Sequence, residues 1–262
     1  MSTQTGPGPY ISKAEKKIPI EDPSGKWSDL TLLPEWEEEF YDVYTARKHG
    51  KWVMLNALKK QYADNPEYRA MLEREFDTRY SLAHANIVMV NDLEVVPGAG
   101  LSIITDDVYG YSLRRLIDEK RLTPRIVSRL QTQLLDAMDY IQENHIVHHP
   151  ITPDTIIFTE YNENLKLINV GYDQKQQLSE QDTREDIRSY GRVLDEVLDN
   201  LPASLPRLRR IARKCADDAH PYRGITEIQL DIEKRSASQI YMFLIAVIVV
   251  MMALLVFLVC TQ

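Results

Sequence analysis

Between Trp27 and Ile104 the apolar residues fall in short runs with the period of strands, around a single helical stretch. Leu30 to Leu33, Tyr41 to Ala46 and Trp52 to Leu58 alternate or carry the Val and Tyr side chains that suit a pleated surface. Lys48-His49-Gly50 reads as the turn between the last two. Asn65 before Pro66 supplies a cap and then a proline at the first helical position, where a missing N–H costs nothing. A helix is predicted from there to about Leu82. Asn86 to Leu93 and Leu101 to Thr105 follow as two more strands, joined by Pro97-Gly98-Ala99-Gly100.

After Thr105 the period becomes helical. Thr123-Pro124 opens a helix with Ile126, Leu130, Leu134, Met138 and Ile141 on one face, and Ile187, Tyr190, Leu194, Val197 and Leu198 mark a second such face. The pattern predicts an α+β chain in two lobes: a β-rich lobe with one helix over residues 27–105, and a helical lobe over residues 106–235. Residues 1–26 are polar, with Gly6, Pro7, Gly8 and Pro9, and predict a disordered arm without a signal peptide.

Ile240 to Cys260 is a different kind of segment: 21 residues without one charge. At a helical rise of about 1.5 Å per residue it spans roughly 30 Å, the thickness of a bilayer's hydrocarbon core. A buried core helix keeps a polar stripe over such a length, so a transmembrane helix over residues 240–260 is predicted. Lys234 and Arg235 precede it and only Thr261 and Gln262 follow. By the positive-inside tendency this predicts a tail-anchored, single-pass membrane protein with its folded domain in the cytoplasm.

The net charge of −8 gives a nucleic-acid partner no electrostatic support. The two cysteines are Cys215 and Cys260, and the second lies in the apolar run, so no disulfide within the chain is expected.

Seven segments, in order, resemble the eukaryotic-type protein kinases. Tyr41-Asp-Val-Tyr-Thr-Ala-Arg is similar to the second strand of a kinase, and Val53-Met-Leu-Asn-Ala-Leu-Lys59 to the third strand with its lysine. Arg74-Glu75-Phe76 before His84-Ala-Asn-Ile-Val88 resembles the helix and strand that follow. Ile103 to Leu116 looks like the hinge, and Ile146-Val-His-His-Pro-Ile-Thr-Pro-Asp-Thr-Ile-Ile157 like the catalytic loop. Leu165-Lys-Leu-Ile-Asn-Val-Gly171 matches the metal-binding loop, and Asp186-Ile-Arg-Ser-Tyr-Gly191 the start of the central helix of the second lobe. The resemblance covers about residues 27–233.

It also shows what is missing. Phosphoryl transfer requires phosphates and metal held in place and a carboxylate that orients the attacking hydroxyl. On the family pattern the catalytic aspartate falls on Pro150, the neighbouring lysine on Thr152, and the metal-binding asparagine on Thr155. The metal-binding aspartate falls on Asn169, a neutral and poor magnesium ligand. The glycine-rich loop is replaced by Glu35-Trp36-Glu37-Glu38-Glu39-Phe40, whose four carboxylates repel a triphosphate. The resemblance therefore implies a pseudokinase, with no catalytic residues, no metal and no cofactor; ATP is disfavoured.

What the resemblance leaves in place is structural. Lys59 and Glu75 are expected to form the ion pair that fixes the first-lobe helix, His148 to support the second-lobe core, and Asp186 to anchor the catalytic loop. Only fourteen residues separate Gly171 from Asp186, with no Ala-Pro-Glu close, which argues against a peptide-substrate platform. Three functions stay open. They are a membrane-anchored scaffold or allosteric partner of an unknown protein, a weak or unconventional ATP-binding serine/threonine protein kinase, and a component of a membrane assembly.

Overall fold

The computed structural model describes residues 16–201, 205–219 and 221–233, together with residues 245, 247, 248, 251 and 252. Eleven strands appear among them: β1 Lys16–Lys17, β2 Trp27–Leu32, β3 Tyr41–Lys48, β4 Lys51–Leu58, β5 Val90–Val96, β6 Gly100–Asp106, β7 Gly110–Ser112, β8 Ile146–Val147, β9 Ile156–Thr159, β10 Leu165–Leu167 and β11 Asp173–Gln174. The helices are α1 Pro66–Tyr80, α2 Leu113–Asp118, α3 Pro124–Arg129, α4 Leu135–Glu143, α5 Glu180–Asp199 and α6 Pro206–Ala216, with one more over residues 225–233. Five residues of π-helix, Leu130–Leu134, join α3 to α4.

The first lobe is an antiparallel sheet in the order β1-β2-β3-β4-β6-β5 with α1 packed on it. The β3–β4 hairpin turns at His49 and Gly50, both at positive φ (50° and 81°). That conformation suits a tight turn whose twist matches the strands it joins. The turn fixes the register, so Tyr41 faces Leu58 and Val43 faces Asn56. Asn65 caps α1 by accepting a hydrogen bond from the Glu67 N–H at 2.9 Å, with Pro66 next in the chain, as the sequence predicts.

The second lobe is built on α4 and α5. The predicted faces are inside: Ile126, Leu130, Leu134, Met138 and Ile141 are buried, as are Ile187, Tyr190, Leu194, Val197 and Leu198. They form one core with Phe158, Leu208 and Ile211.

Three sequence expectations differ from the structure. Residues 16–26 are not a disordered arm: β1 pairs with β2, the Ile18 N–H donates to the Leu30 carbonyl at 2.8 Å, and Ile18 and Ile20 pack against the Trp27–Leu30 core. Ile18 and Ile20, two residues apart, put two apolar side chains against that core, and their burial favours the ordered segment. Residues 1–15 lie outside the described residues. The strand expected over Asn86 to Leu93 begins only at Val90, because Ile87 and Val88 pair instead with Leu167 of the second lobe. Finally, α5 starts at Glu180, six residues before Asp186, because Ser179 and Asp182 form a reciprocal capping box there.

The apolar run from Ile240 to Cys260 falls almost entirely outside the described residues. Among the described residues no helix is long and apolar enough to cross a membrane.

Candidate functional site

The cleft between the lobes is floored by residues 148–155 and 168–171 and roofed by β3, β4 and the loop after β2. Asn56 sits in β4 with its side chain turned inward, 3% exposed. Its Nδ2 donates to Asn169 Oδ1 at 3.1 Å, and Asn169 Nδ2 donates to Glu38 Oε1 at 2.6 Å. The chemistry fixes the orientation of the Asn169 amide: an ionised carboxylate only accepts, so the NH2 faces Glu38 and the carbonyl faces Asn56. Asn169 is at φ +55°, a left-handed conformation that asparagine tolerates better than most residues. Gly171, at φ +85°, is in a conformation that side chains rarely adopt, and a Cβ there would sit tightly, 3.1 Å from Ile146 and 3.3 Å from Thr78.

Glu38 is out of place for a carboxylate. Burial pushes its pKa up, and the nearby Glu75 carboxylate pushes it the same way. Glu75, on α1, is satisfied locally: the Tyr41 hydroxyl donates to its Oε2 at 2.8 Å, and Arg79, one turn on, donates to its Oε1 at 2.8 Å. Burial and the Glu75 charge in turn raise the Tyr41 phenol above its ordinary range.

Lys59 and Glu75 therefore do not form the expected ion pair. Lys59 lies past the end of β4 and its Nζ pairs with Glu37 at 2.5 Å. The side chain that faces the metal-loop position from the third family strand is Asn56, three residues earlier. Val53-Met54-Leu55-Asn56 matches the family's V-A-I-K strand motif with asparagine in place of lysine. Hairpin register carried this signal, since the His49-Gly50 turn sets Asn56 opposite Val43.

The other predicted residues fall as follows. Pro150 and Thr152 border the cleft, and the Thr155 hydroxyl is held within its own loop by the Thr152 backbone, at 3.1 and 3.2 Å. His148 is buried, with Nε2 3.0 Å from Asp186 Oδ1 and Nδ1 2.7 Å from the His149 carbonyl oxygen. Both ring nitrogens face acceptors, the environment of an imidazolium. Burial works against that charge, but the Asp186 carboxylate 3.0 Å away outweighs it, so the His148 pKa is raised. Asp186 also accepts from Gln142 Nε2 at 2.9 Å, which ties the loop to α4 and α5.

Beneath α1 a cavity of about 640 Å³ opens between Phe40, Tyr41, Glu75, Pro150 and Asn169. Glu38, Glu39, Glu75 and Asp173 put four carboxylates on its wall, against the single guanidinium of Arg74. These donors do not fit a magnesium–nucleotide complex. Both ends of the Asn169 amide are engaged, Thr155 is turned into its loop, and the acidic wall repels phosphate. Among the described residues no three His, Cys, Asp or Glu side chains gather as a metal site.

The family model of the protein kinase domain matches residues 39–197, more than half of the chain. The chain belongs to the protein kinase domain family. It is similar to the serine/threonine-protein kinase PknD of Mycobacterium tuberculosis, 31% identical over 122 residues, which are 46% of this chain and 18% of that one. It is also similar to PknF of that species, at 33% over 122 residues (44% and 25% of the two chains). Cyclin-dependent kinase 14 of Xenopus tropicalis is 28% identical over 139 residues (52% and 32%). The matched region thus spans a third or less of these relatives' own lengths.

Proposed function

We propose that this kinase domain is a pseudokinase, a scaffold or allosteric partner that recognises another protein and does not transfer phosphate. The observation that carries this reading is the hydrogen-bonded chain Asn56–Asn169–Glu38. In a working kinase the first two positions are a lysine that holds the nucleotide phosphates and an aspartate that holds magnesium. Here both are neutral amides, bonded to each other, and the third member is a carboxylate from the loop that would cover the phosphates. Pro150 adds to this, because it has no side-chain acceptor to orient a hydroxyl.

We further propose that the domain works at a membrane, attached through Ile240 to Cys260, whose 21 uncharged residues support a spanning helix. Attachment raises the effective concentration of any partner on the same surface.

The second reading is a weak or unconventional serine/threonine kinase, and family membership together with the relatives' names favours it. One experiment separates the two. The full chain is melted with millimolar ATP, with and without magnesium or manganese, and in parallel incubated with labelled ATP and a generic protein substrate. Because a ligand specific to the folded form raises Tm, the pseudokinase reading expects neither a metal-dependent rise nor incorporated label. Label that depends on metal overturns it in favour of the kinase.

A further inference from the structure

Helix α6 is basic in an acidic chain. The protein has a net charge of −8, yet Pro206–Ala216 carries Arg207, Arg209, Arg210, Arg213 and Lys214 and no acid. At about 100° per residue these five cations fill one half of the helix. Leu208, Ile211, Ala212 and Cys215, all buried, fill the other. The edges of the basic half are engaged within the domain. Arg209 pairs with Asp195 and Asp199 of α5 at 3.2 and 2.7 Å, and Lys214 Nζ lies 3.9 Å from the centre of the Tyr222 ring. Arg207 donates to the Asp231 carbonyl at 2.7 Å and to that of Ile232. Arg210 and Arg213, in the middle of this half, are exposed and have no side-chain partner among the described residues. Two guanidiniums directed at solvent, with the charges beside them already matched, present a surface for negative charge.

Position in the fold selects the partner. Asp231 and Ile232 lie in the last turn of the helix over residues 225–233, so Arg207 fixes the start of α6 beside the point where that helix ends. Lys214, at the other end of α6, sits on Tyr222, just ahead of the same helix, so the two helices run antiparallel. From Glu233, seven residues of chain, at most about 25 Å when extended, reach Ile240, the start of the 21-residue uncharged run. Arg210 and Arg213 stand about 5 and 9 Å along α6 from Arg207, within the same reach. We propose that α6 is a membrane-facing surface, on which Arg210 and Arg213 bind the headgroups of anionic lipids and lay the domain against the bilayer that holds its anchor. This inference rests on the membrane attachment proposed above. Because the apolar face of α6 is already in the core, the contact is electrostatic, without insertion into hydrocarbon.

The test uses the full chain in phosphatidylcholine vesicles, with the domain outside. A donor dye is placed on Ala219→Cys, an exposed position just past α6, in a Cys260→Ser background where the remaining Cys215 is buried. Energy transfer to an acceptor lipid reports how closely α6 approaches the bilayer. Replacing about 30 mol % of the lipid by phosphatidylserine is expected to raise the transfer. Each arginine at such a surface contributes a roughly fivefold factor, so the pair shifts the ratio of docked to undocked domain about 25-fold. The sign decides the matter, since a chain of net charge −8 without this contact is pushed away from an anionic surface. Arg210→Gln/Arg213→Gln is expected to lose the gain and Arg210→Lys/Arg213→Lys to keep most of it. Lys17→Gln/Lys60→Gln, an equal loss of charge from exposed sites on the first lobe, should leave it intact, as should millimolar inorganic phosphate. The proposal is overturned by no gain with phosphatidylserine, by a gain that survives the glutamine pair on α6, or by one that the first-lobe pair or phosphate abolishes. Should the glutamine pair on α6 lower Tm, the wild type in about 0.5 M salt replaces it, and a gain that persists there overturns the proposal. A chain that an alkaline wash strips from neutral vesicles overturns the membrane reading and this proposal together. A chain retained there without the gain overturns this proposal alone.

Discussion

Restoring the family's acidic residue at Asn169 is the sharpest test of the cleft. Asn169 Nδ2 lies 2.6 Å from Glu38 Oε1, so Asn169→Asp sets a second carboxylate oxygen against the first. With an effective dielectric of about 20 and a separation of about 3 Å, two unit charges repel by roughly 5 kcal/mol. A proton offers a cheaper route. Keeping a carboxyl protonated at pH 7 costs at most roughly 4 kcal/mol for an ordinary pKa of about 4, at 1.36 kcal/mol per pH unit, and less at Glu38, whose pKa is already raised. Protonation therefore caps the loss, and the short O–H···O⁻ bond it creates returns part, leaving about 3 kcal/mol of destabilisation at pH 7. The folded pair then has a pKa above its unfolded value. Stability is complete below about pH 4 and is lost as pH rises through the folded value, by up to about 1.4 kcal/mol per unit. The backbone does not confound the result, because aspartate tolerates the left-handed conformation at this position as asparagine does. Urea unfolding at pH 7 and pH 5 would be compared for wild type, Asn169→Asp, Glu38→Gln and the double variant. Glu38→Gln should rescue the double variant by about 3 kcal/mol, since its amide can donate to the new carboxylate. An Asn169→Asp variant as stable as wild type at both pH values, or a double variant without rescue, refutes the Glu38–Asn169 contact.

Three further outcomes follow from the same geometry. Because the folded His148 pKa is raised, its contribution is complete below about pH 6.5 and is lost as pH rises above that; wild-type Tm should fall between pH 6 and 8 (about one unit either side of neutral) more steeply than that of His148→Gln. Burial pushes the Cys215 thiol up to about 12, so in a Cys260→Ser background a maleimide should label it only after unfolding. At Gly110 an added Cβ would lie 2.0 Å from the Phe158 carbonyl oxygen; Gly110→Ala should break the β7–β9 pairing and give a chain rapidly cut by protease where wild type resists.

Much of the fold was legible because its signals are local. The Asn65-Pro66 start of α1 and the apolar stripes of α4 and α5 require only neighbours within a few turns, and they stand where the sequence puts them. The misplaced lysine shows where local reading fails. Lys59 is the residue type the family pattern seeks, yet β4 ends at Leu58, and a side chain beyond a strand's end does not share its inward face. Strand alternation with the turn at His49 and Gly50 points to Asn56, a residue type that the search for a lysine passes over. Trp36 is harder to read. In sequence it belongs to a run of carboxylates that resembles a solvated cover, and the two apolar groups it joins are contributed by residues as distant as Ile157 and Ile168. No periodicity within six residues encodes that contact.

The fate of Glu75 explains why the cleft holds together without its lysine. A carboxylate at 9% exposure with its cationic partner deleted would be an uncompensated buried charge, a defect that typically costs about 3–5 kcal/mol. Arg79, one helical turn on, and the Tyr41 hydroxyl take both of its oxygens. Tyr41 opens β3 directly after the segment that stands in place of the glycine-rich loop, and its hydroxyl satisfies the stranded glutamate. Asn56 has likewise passed to Asn169, and Thr155 to Thr152. Returning a lysine to position 56 alone would then meet a glutamate already paired and a roof already occupied. The groups are coupled, and a single reversion adds a buried charge before it restores a contact. At Asn56, Asn169 and Thr155 the side-chain hydrogen bonds already go to the chain itself, so each reversion must first break one of them.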